Sequence, residues 1–280
     1  MTPVDALLIA FLMALAALAA LVVPAPWLLL ARLGALAAAL LVAGRLRPRS
    51  RAFRFVHDFL PVPIVSVLIN LIGPVVEHAN PLRWDAVLAS LDAGPLRWLA
   101  QPWAGAAGRP GWLTAAASLA YFGYYFVPVG TALALWLRGR ADEFARYVFV
   151  VCAVILASYA AYFIAPATGP RLPGHAAPML DAFLRLAERN QLDAFPSGHT
   201  AVSIAFVVAA WPAFPRLRAA FALIAAAIVF STVYLSLHYT ADVLAGAALA
   251  AATLPFAPRL YARLSSPAVA ASARARPRPS

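Results

Sequence analysis

The sequence predicts an all-α fold, a polytopic membrane helix bundle, and three observations support it. Of its 280 residues, 64% are hydrophobic and only 12% charged, and the mean hydropathy is +0.81, far outside the range of ordinary globular domains. Apolar runs long enough to cross a hydrocarbon core about 30 Å thick recur along most of the chain. The basic residues are all arginine and fall in short clusters between those runs, where they act as topology signals. Lipid offers backbone groups no hydrogen-bond partner, so each run reads as a helix.

The runs lie at roughly 5–23, 27–43, 59–77, 112–137, 146–164, 199–213, 219–237 and 239–257, which makes eight crossings. No basic residue precedes the first, and its alanine-rich end before "VPAPW" leaves a cleaved leader open. The second is followed by Arg45, Arg47, Arg49, Arg51 and Arg54. Arg138, Arg140 and Arg146 flank the joint between the fourth and fifth, and Arg216 and Arg218 the joint between the sixth and seventh. These clusters alternate consistently along the chain, so the positive-inside rule puts them, and both termini, in the cytoplasm. The chain divides into two N-terminal spans (1–45), a membrane domain (46–260) and an Arg- and Pro-rich tail (261–280). That tail, with Arg274, Arg276 and Arg278, cannot bury a core and is expected to be disordered and cytoplasmic.

The formal charge of +11 raises nucleic acid as a partner, but scattered clusters between apolar runs make no basic face, so that class is set aside. The single cysteine, Cys152, excludes an internal disulfide and reads as a small core residue.

The opposite face receives two longer connections, about 78–111 and 165–198, and the short joint at His238. In "NPLRWDAVLASLDAGPLRWLAQPW", Leu82, Val87, Leu88, Leu91, Leu96 and Leu99 suit interfacial helices, with Trp84, Trp98 and Trp103 as anchors. In "APMLDAFLRLAERNQ", Met179, Leu180, Phe183, Leu184 and Leu186 suit one apolar face, with Arg185, Glu188 and Arg189 opposite. Either segment could floor an entrance for a lipid headgroup or simply seal the rim.

Polar chemistry gathers at three span ends on this face: "PATGPR", ending in Arg171; "FPSGHT", Phe195 to Thr200; and "YLSLHYTADVLAG", Tyr234 to Gly246. At a helix start, Ser197 and Gly198 could form an anion nest of exposed N–H groups, or Ser197 could be an ordinary cap. His238 and Asp242, four residues apart, would share a helix face, so the carboxylate could hold one imidazole nitrogen and leave the other as an oriented nucleophile or base. A structural His–Asp pair is the alternative. His199, His238 and Asp242 could also ligate zinc, but no HExxH or cysteine pattern is present, and a zinc site gives Arg171 no role; no metal or cofactor is expected.

In order and spacing these motifs resemble the type 2 phosphatidic acid phosphatase superfamily of membrane phosphatases and phosphotransferases. Its PSGH motif is matched by Pro196 to His199, and its S-R-x5-H-x3-D motif by Ser231, His238 and Asp242, with Thr232 in place of arginine. Its K-x6-R-P motif is not matched as written; "GPR" supplies only Arg171. These departures, together with "DAVLASLDAGPLRW", look like the branch that includes inositol phosphorylceramide synthases. The resemblance spans roughly residues 50 to 260 and implies a six-helix core, here from about 59 to 257, preceded by the two N-terminal spans.

It further implies metal-independent transfer through a phosphohistidine: His238 attacks phosphorus, Asp242 orients it, His199 protonates the leaving alkoxide, and Ser197, Gly198 and Arg171 hold the phosphoryl oxygens. Phosphoryl transfer needs such cations and preorganised donors. Arg83, Arg97 or Arg109 could replace the missing cations. The expected substrate is a membrane lipid phosphate, the acceptor water or an alcohol such as inositol, and the setting a bacterial inner membrane with chemistry on the extracytoplasmic face. The competing class is a transporter or binding protein for phosphorylated lipids, which would need Arg171 and the nest but no oriented nucleophile.

Overall fold

Polar side chains at the helix starts punctuate an otherwise greasy chain. Thr2 and Asp5 form a reciprocal capping box (Thr2 N to Asp5 Oδ2 2.6 Å, Asp5 N to Thr2 Oγ1 3.3 Å), which opens α1, Pro3–Val22. Pro24 and Pro26 separate it from α2, Trp27–Leu46, and Ser50 caps α3, Arg51–Phe59. Further helices include α4 (Pro61–Ala79), α5 (Asp85–Ala93), α6 (Gly111–Leu137), α7 (Ala141–Ala161), α8 (Pro178–Ala187), α9 (Gly198–Ala210), α10 (Arg218–Tyr234), α11 (Thr240–Thr253) and α12 (Ala257–Ser265). This computed structural model describes residues 1–99, 110–172, 175–187 and 190–265, and no strand occurs among them.

Among the described residues, seven helical stretches are long and apolar enough to cross a membrane, with α3–α4 and α11–α12 each counted as one. The eighth expected crossing is shorter: α9 has 13 residues, about 20 Å, because Ser197 starts it well inside the bundle. The helix beyond residue 260 is a second difference. α12 runs through the expected tail boundary to Ser265, held by Tyr261 packing edge-on against Phe149 at 5.3 Å. Arg274, Arg276 and Arg278 lie outside the described residues.

α7 is the central helix. One of its faces shares an apolar cluster with α1, α2 and α4, through Leu8, Leu12, Leu15, Ile64, Leu68, Phe149 and Leu156. Its other face packs with α6, α9, α10 and α11 through Val151, Val154, Ala201, Ala205 and Phe206. In α1 the buried residues Leu8, Leu12, Leu15 and Ala19 follow the helical period, so one stripe docks and the rest faces outward.

The three arginine clusters meet at one end of the bundle. Arg51 stacks over Trp136, Arg138 stacks over Phe214, and Arg140 donates to the Ala213 carbonyl at 2.7 Å. Here too His57 is buried between Asp5 (Nε2 to Oδ1 3.1 Å) and Asp58 (Nδ1 to Oδ1 3.1 Å), while Arg47 and Trp136 donate to Asp58. This network ties the start of α1 to α2, α3 and α6.

At the other end, Leu88 of α5 packs with Ala167 and Ala194 of the 165–198 connection and with Ala241 at the start of α11. Trp84 and Trp98 are exposed, as anchors would be, and Trp103 lies outside the described residues. The apolar face expected on α8 is narrower than its sequence suggests: Leu180 and Leu184 are buried, whereas Met179 and Leu186 are exposed. The helical period explains this, since Met179 and Leu186 project away from the 180–184 stripe. Glu188 and Arg189 lie outside the described residues.

Candidate active site

The three polar segments converge. The Ala194 N–H donates to the Ala167 carbonyl at 3.1 Å, joining the "PATGPR" loop to the segment before α9. The Ser197 N–H donates to the Asp242 carbonyl at 2.9 Å, joining α9 to α11. Gly169 sits at φ +78°, where a Cβ would strike the Leu237 carbonyl, so only glycine lets the "PATGPR" loop press against the turn carrying His238.

His238 does not lie on a helix, contrary to the expected one-turn pairing with Asp242. α10 ends at Tyr234, Ser236 takes a left-handed φ of +55°, and α11 begins only at Thr240. The cause is local: the Asp242 carboxylate caps α11 by accepting the Tyr239 N–H at 2.8 Å, and the N–H groups of Leu237 and His238 both donate to the Thr232 carbonyl. Thr232 itself, standing where the family pattern has arginine, turns its hydroxyl back to the Val229 carbonyl.

The imidazole of His238 is fixed by two acceptors. Its Nδ1 lies 3.0 Å from the Ala194 carbonyl and 3.4 Å from Asp242 Oδ2. A carbonyl can only accept, so Nδ1 carries a proton, and in the neutral ring Nε2 then holds the lone pair. That Nε2 faces Nδ1 of His199 at 3.4 Å. The His199 ring packs at a tilt against Tyr121 and Tyr124 of α6, with centroids 4.4 and 4.0 Å away. Tyr121 is ten residues into α6, so the pair sits about 15 Å from the N-terminal end of that helix.

Gly198 lines the same space, and a Cβ on it would come within 2.7 Å of the Tyr162 hydroxyl. Ser197 behaves as a cap: it is fully buried, and its hydroxyl accepts from the Thr200 N–H and the Thr200 hydroxyl.

Arg171 is held at φ +38° with Nε donating to the Thr168 carbonyl at 2.7 Å and Nη2 paired with Asp193 at 2.8 Å. Burial pushes the Asp193 carboxyl up from its ordinary value, against the opposing pull of Arg171 and His238. Arg171 is the one arginine lining the cavity among the described residues. Arg83 turns instead to Glu77 and to nearby carbonyls, Arg97 is exposed, and Arg109 lies outside the described residues.

The cavity holding these groups has a volume of about 280 Å³ and is mostly apolar. From Arg171, His199 and His238 it runs between α4, α6 and α7, past Val65, Ile69, Val151 and Ile155, as far as Phe59 and Asp58. Such a shape accommodates a charged headgroup at one end and an apolar chain below it. No group of three or more metal-ligating side chains occurs among the described residues.

The model of the PAP2 superfamily matches residues 95–256, more than half of the chain. The chain belongs to the PAP2 superfamily. No curated protein and no solved structure matches it. Members of the PAP2 superfamily are generally phosphatases and phosphotransferases, and the helical architecture here is that of a membrane-embedded one.

Two features of this PAP2 site escaped the sequence reading. The tyrosines at 121, 124 and 125 had a signal, three phenols at i, i+3 and i+4 in an apolar span, but that pattern is also an ordinary core stripe. Asp193, three residues before the PSGH segment, had none, because its partner Arg171 is 22 residues away and in a different loop.

Proposed function

We propose that the chain is an integral-membrane phosphatase or phosphotransferase acting on a lipid phosphate ester through a phosphohistidine on His238. The observation that carries this reading is the pairing of a tautomer-fixed His238 with a second histidine opposite its free nitrogen. Binding alone requires donors; an imidazole oriented by a carbonyl and a carboxylate is what nucleophilic attack requires.

In the first step the Nε2 lone pair of His238 forms a bond to phosphorus as the ester P–O bond breaks. The negative charge of the bound phosphate favours the protonated form of His199, which gives its proton to the departing alkoxide. The His238 Nδ1–H stays on the Ala194 carbonyl and Asp242, which stabilise the positive charge the ring acquires. In the second step His199 takes a proton from water or an alcohol, whose oxygen attacks phosphorus and frees His238. Arg171 and the backbone N–H groups at the α9 N-terminus at Gly198 balance the charge on the equatorial oxygens.

The lipid tail extends into the apolar cavity between α4, α6 and α7. With the arginine-rich end in the cytoplasm, the site opens on the extracytoplasmic face, and an arginine-only basic complement suits a bacterial inner membrane. The Ser231–Thr232 start of the third motif and the aspartates of α5 favour the inositol phosphorylceramide synthase-like branch, hence transfer to an alcohol such as inositol.

The test is a panel of phospholipid and prenyl phosphate donors given to purified protein, with and without inositol, with products read by mass. Turnover that survives chelators and is blocked by vanadate is expected. Binding of the donors without turnover would favour the transporter or binding protein, and full activity in His238→Ala would overturn the mechanism.

A further inference from the structure

The α5 helix lies before the matched region 95–256, yet it touches two of the three segments that build the site through hydrogen bonds. Its residues Asp85, Leu88 and Asp92 fall on one face, because spacings of three and seven residues nearly close on whole helical turns. Leu88 is buried among Ala167, Ala194 and Ala241, while Ala86, Val87, Ala89, Ser90 and Ala93 on the rest of α5 are exposed.

The two carboxylates at the ends of this face act on different loops. Asp85 accepts from the Thr168 N–H (3.0 Å), the Thr168 hydroxyl (2.9 Å) and the Gly169 N–H (3.0 Å), in the loop whose left-handed Gly169 and Arg171 require support. It also bonds the Tyr239 hydroxyl, next to His238; burial and the charge of Asp85 push that phenol up to about 12. Asp92 accepts the Thr240 N–H at 2.9 Å, capping α11 from outside beside the Asp242 cap. Three N–H groups that would be orphaned at a turn and a helix start are thus satisfied from a single helix.

We propose that Asp85 and Asp92 are positioning residues: α5 is a clamp that sets Arg171 relative to His238 and Asp242 without itself touching the phosphoryl group. This rests on the phosphotransfer reading of the site. A helix that merely sealed the rim would need Leu88 and its apolar neighbours, but not two carboxylates aimed at backbone N–H groups of the motif loops.

The experiment compares Asp85→Ala, Asp85→Asn, Asp92→Ala and wild-type protein in the same detergent, by lipid phosphate turnover and by residue-resolved hydrogen exchange. Asp85→Ala is expected to raise KM about tenfold and lower kcat, with faster exchange at Thr168 and Gly169. Asp85→Asn, which keeps an acceptor oxygen, restores part of both. Asp92→Ala is expected to lower kcat about tenfold with KM within about twofold of wild type, with faster exchange at Thr240. If Asp85→Ala does not fold, Thr168→Val, which removes only the hydroxyl bond, is expected to shift KM in the same direction. Unchanged kinetics and exchange would overturn the clamp, as would exchange rising uniformly through the bundle. A wild-type protein inert toward every donor would overturn the phosphotransfer reading instead, and the exchange measurement would still decide whether α5 orders the two loops.

Discussion

Nε2 of His238 and Nδ1 of His199 face each other at 3.4 Å inside the cavity that both line. In-line transfer needs about 3 Å from nucleophile to phosphorus and about 3 Å from the leaving oxygen to its acid. The two rings therefore stand too close to hold a phosphoryl group between them, and substrate must part them. In a complex with vanadate, the distance between these nitrogens is expected to exceed roughly 6 Å. The structure of that complex checks this, and an unchanged 3.4 Å would remove His199 Nδ1 as the acid.

The role of His199 also predicts a dependence on the leaving group. An acid contributes only where the departing oxygen is basic, so His199→Ala is expected to slow lipid alkoxide release by roughly 10²–10⁴-fold. Release of p-nitrophenolate, a weak base, should suffer much less. Steady-state rates with an alkyl and an aryl phosphate in one detergent decide the matter, and equal losses on both would count against acid catalysis.

Much of the site was legible because its decisive spacings are short. Ser231, His238 and Asp242, and the PSGH run, sit together in sequence, and hydropathy brought their span ends to one face. What tertiary folding added was invisible to those patterns. The carbonyl that fixes the His238 tautomer belongs to Ala194, 44 residues away, and a backbone acceptor carries no residue-type signal. The end of α10 was misplaced for a related reason: "YLSLH" is apolar enough to continue a helix, and hydropathy does not register the left-handed Ser236 that stops it. The crossings themselves were easier, since α1, α2, α6 and α7 each carry an apolar run of spanning length. α9 is the exception, because its start is fixed by the Ser197 cap at the recessed site rather than by the membrane surface.

Arg171, the cation expected on the phosphate, is paired with Asp193 at 2.8 Å, so an entering phosphate competes with a carboxylate. Asp193→Asn is expected to free Arg171 and tighten vanadate inhibition several-fold. The pH dependence has a definite sign. A carboxyl whose pKa is raised in the fold holds its proton more firmly folded than unfolded, so its contribution favours the fold at acid pH and is lost as pH rises through that raised value. Asp193→Asn should therefore flatten the stability profile above the ordinary carboxylate range, measurable as melting temperature against pH. Weaker vanadate inhibition in the variant would show instead that Asp193 holds Arg171 in its working position.

At the opposite end of the bundle a buried ionic network anchors α1. His57 bridges Asp5 at the start of α1 and Asp58 in α3, with all three side chains buried and Arg47 and Arg54 on the outer side of Asp58. Burying these charges is costly, and the network offsets that cost only while each member keeps its partners. His57→Ala leaves two buried carboxylates facing a cavity, a change expected to cost about 3–5 kcal/mol. The loss should concentrate on α1, because Asp5 then has only the Thr2 cap, whereas Asp58 retains Arg47 and Trp136. Thermal unfolding in detergent, together with protease access to the α1–α2 connection, measures both parts. Replacing Asp5 with Asn in the same protein should then add little further destabilisation, since the two residues act on one contact.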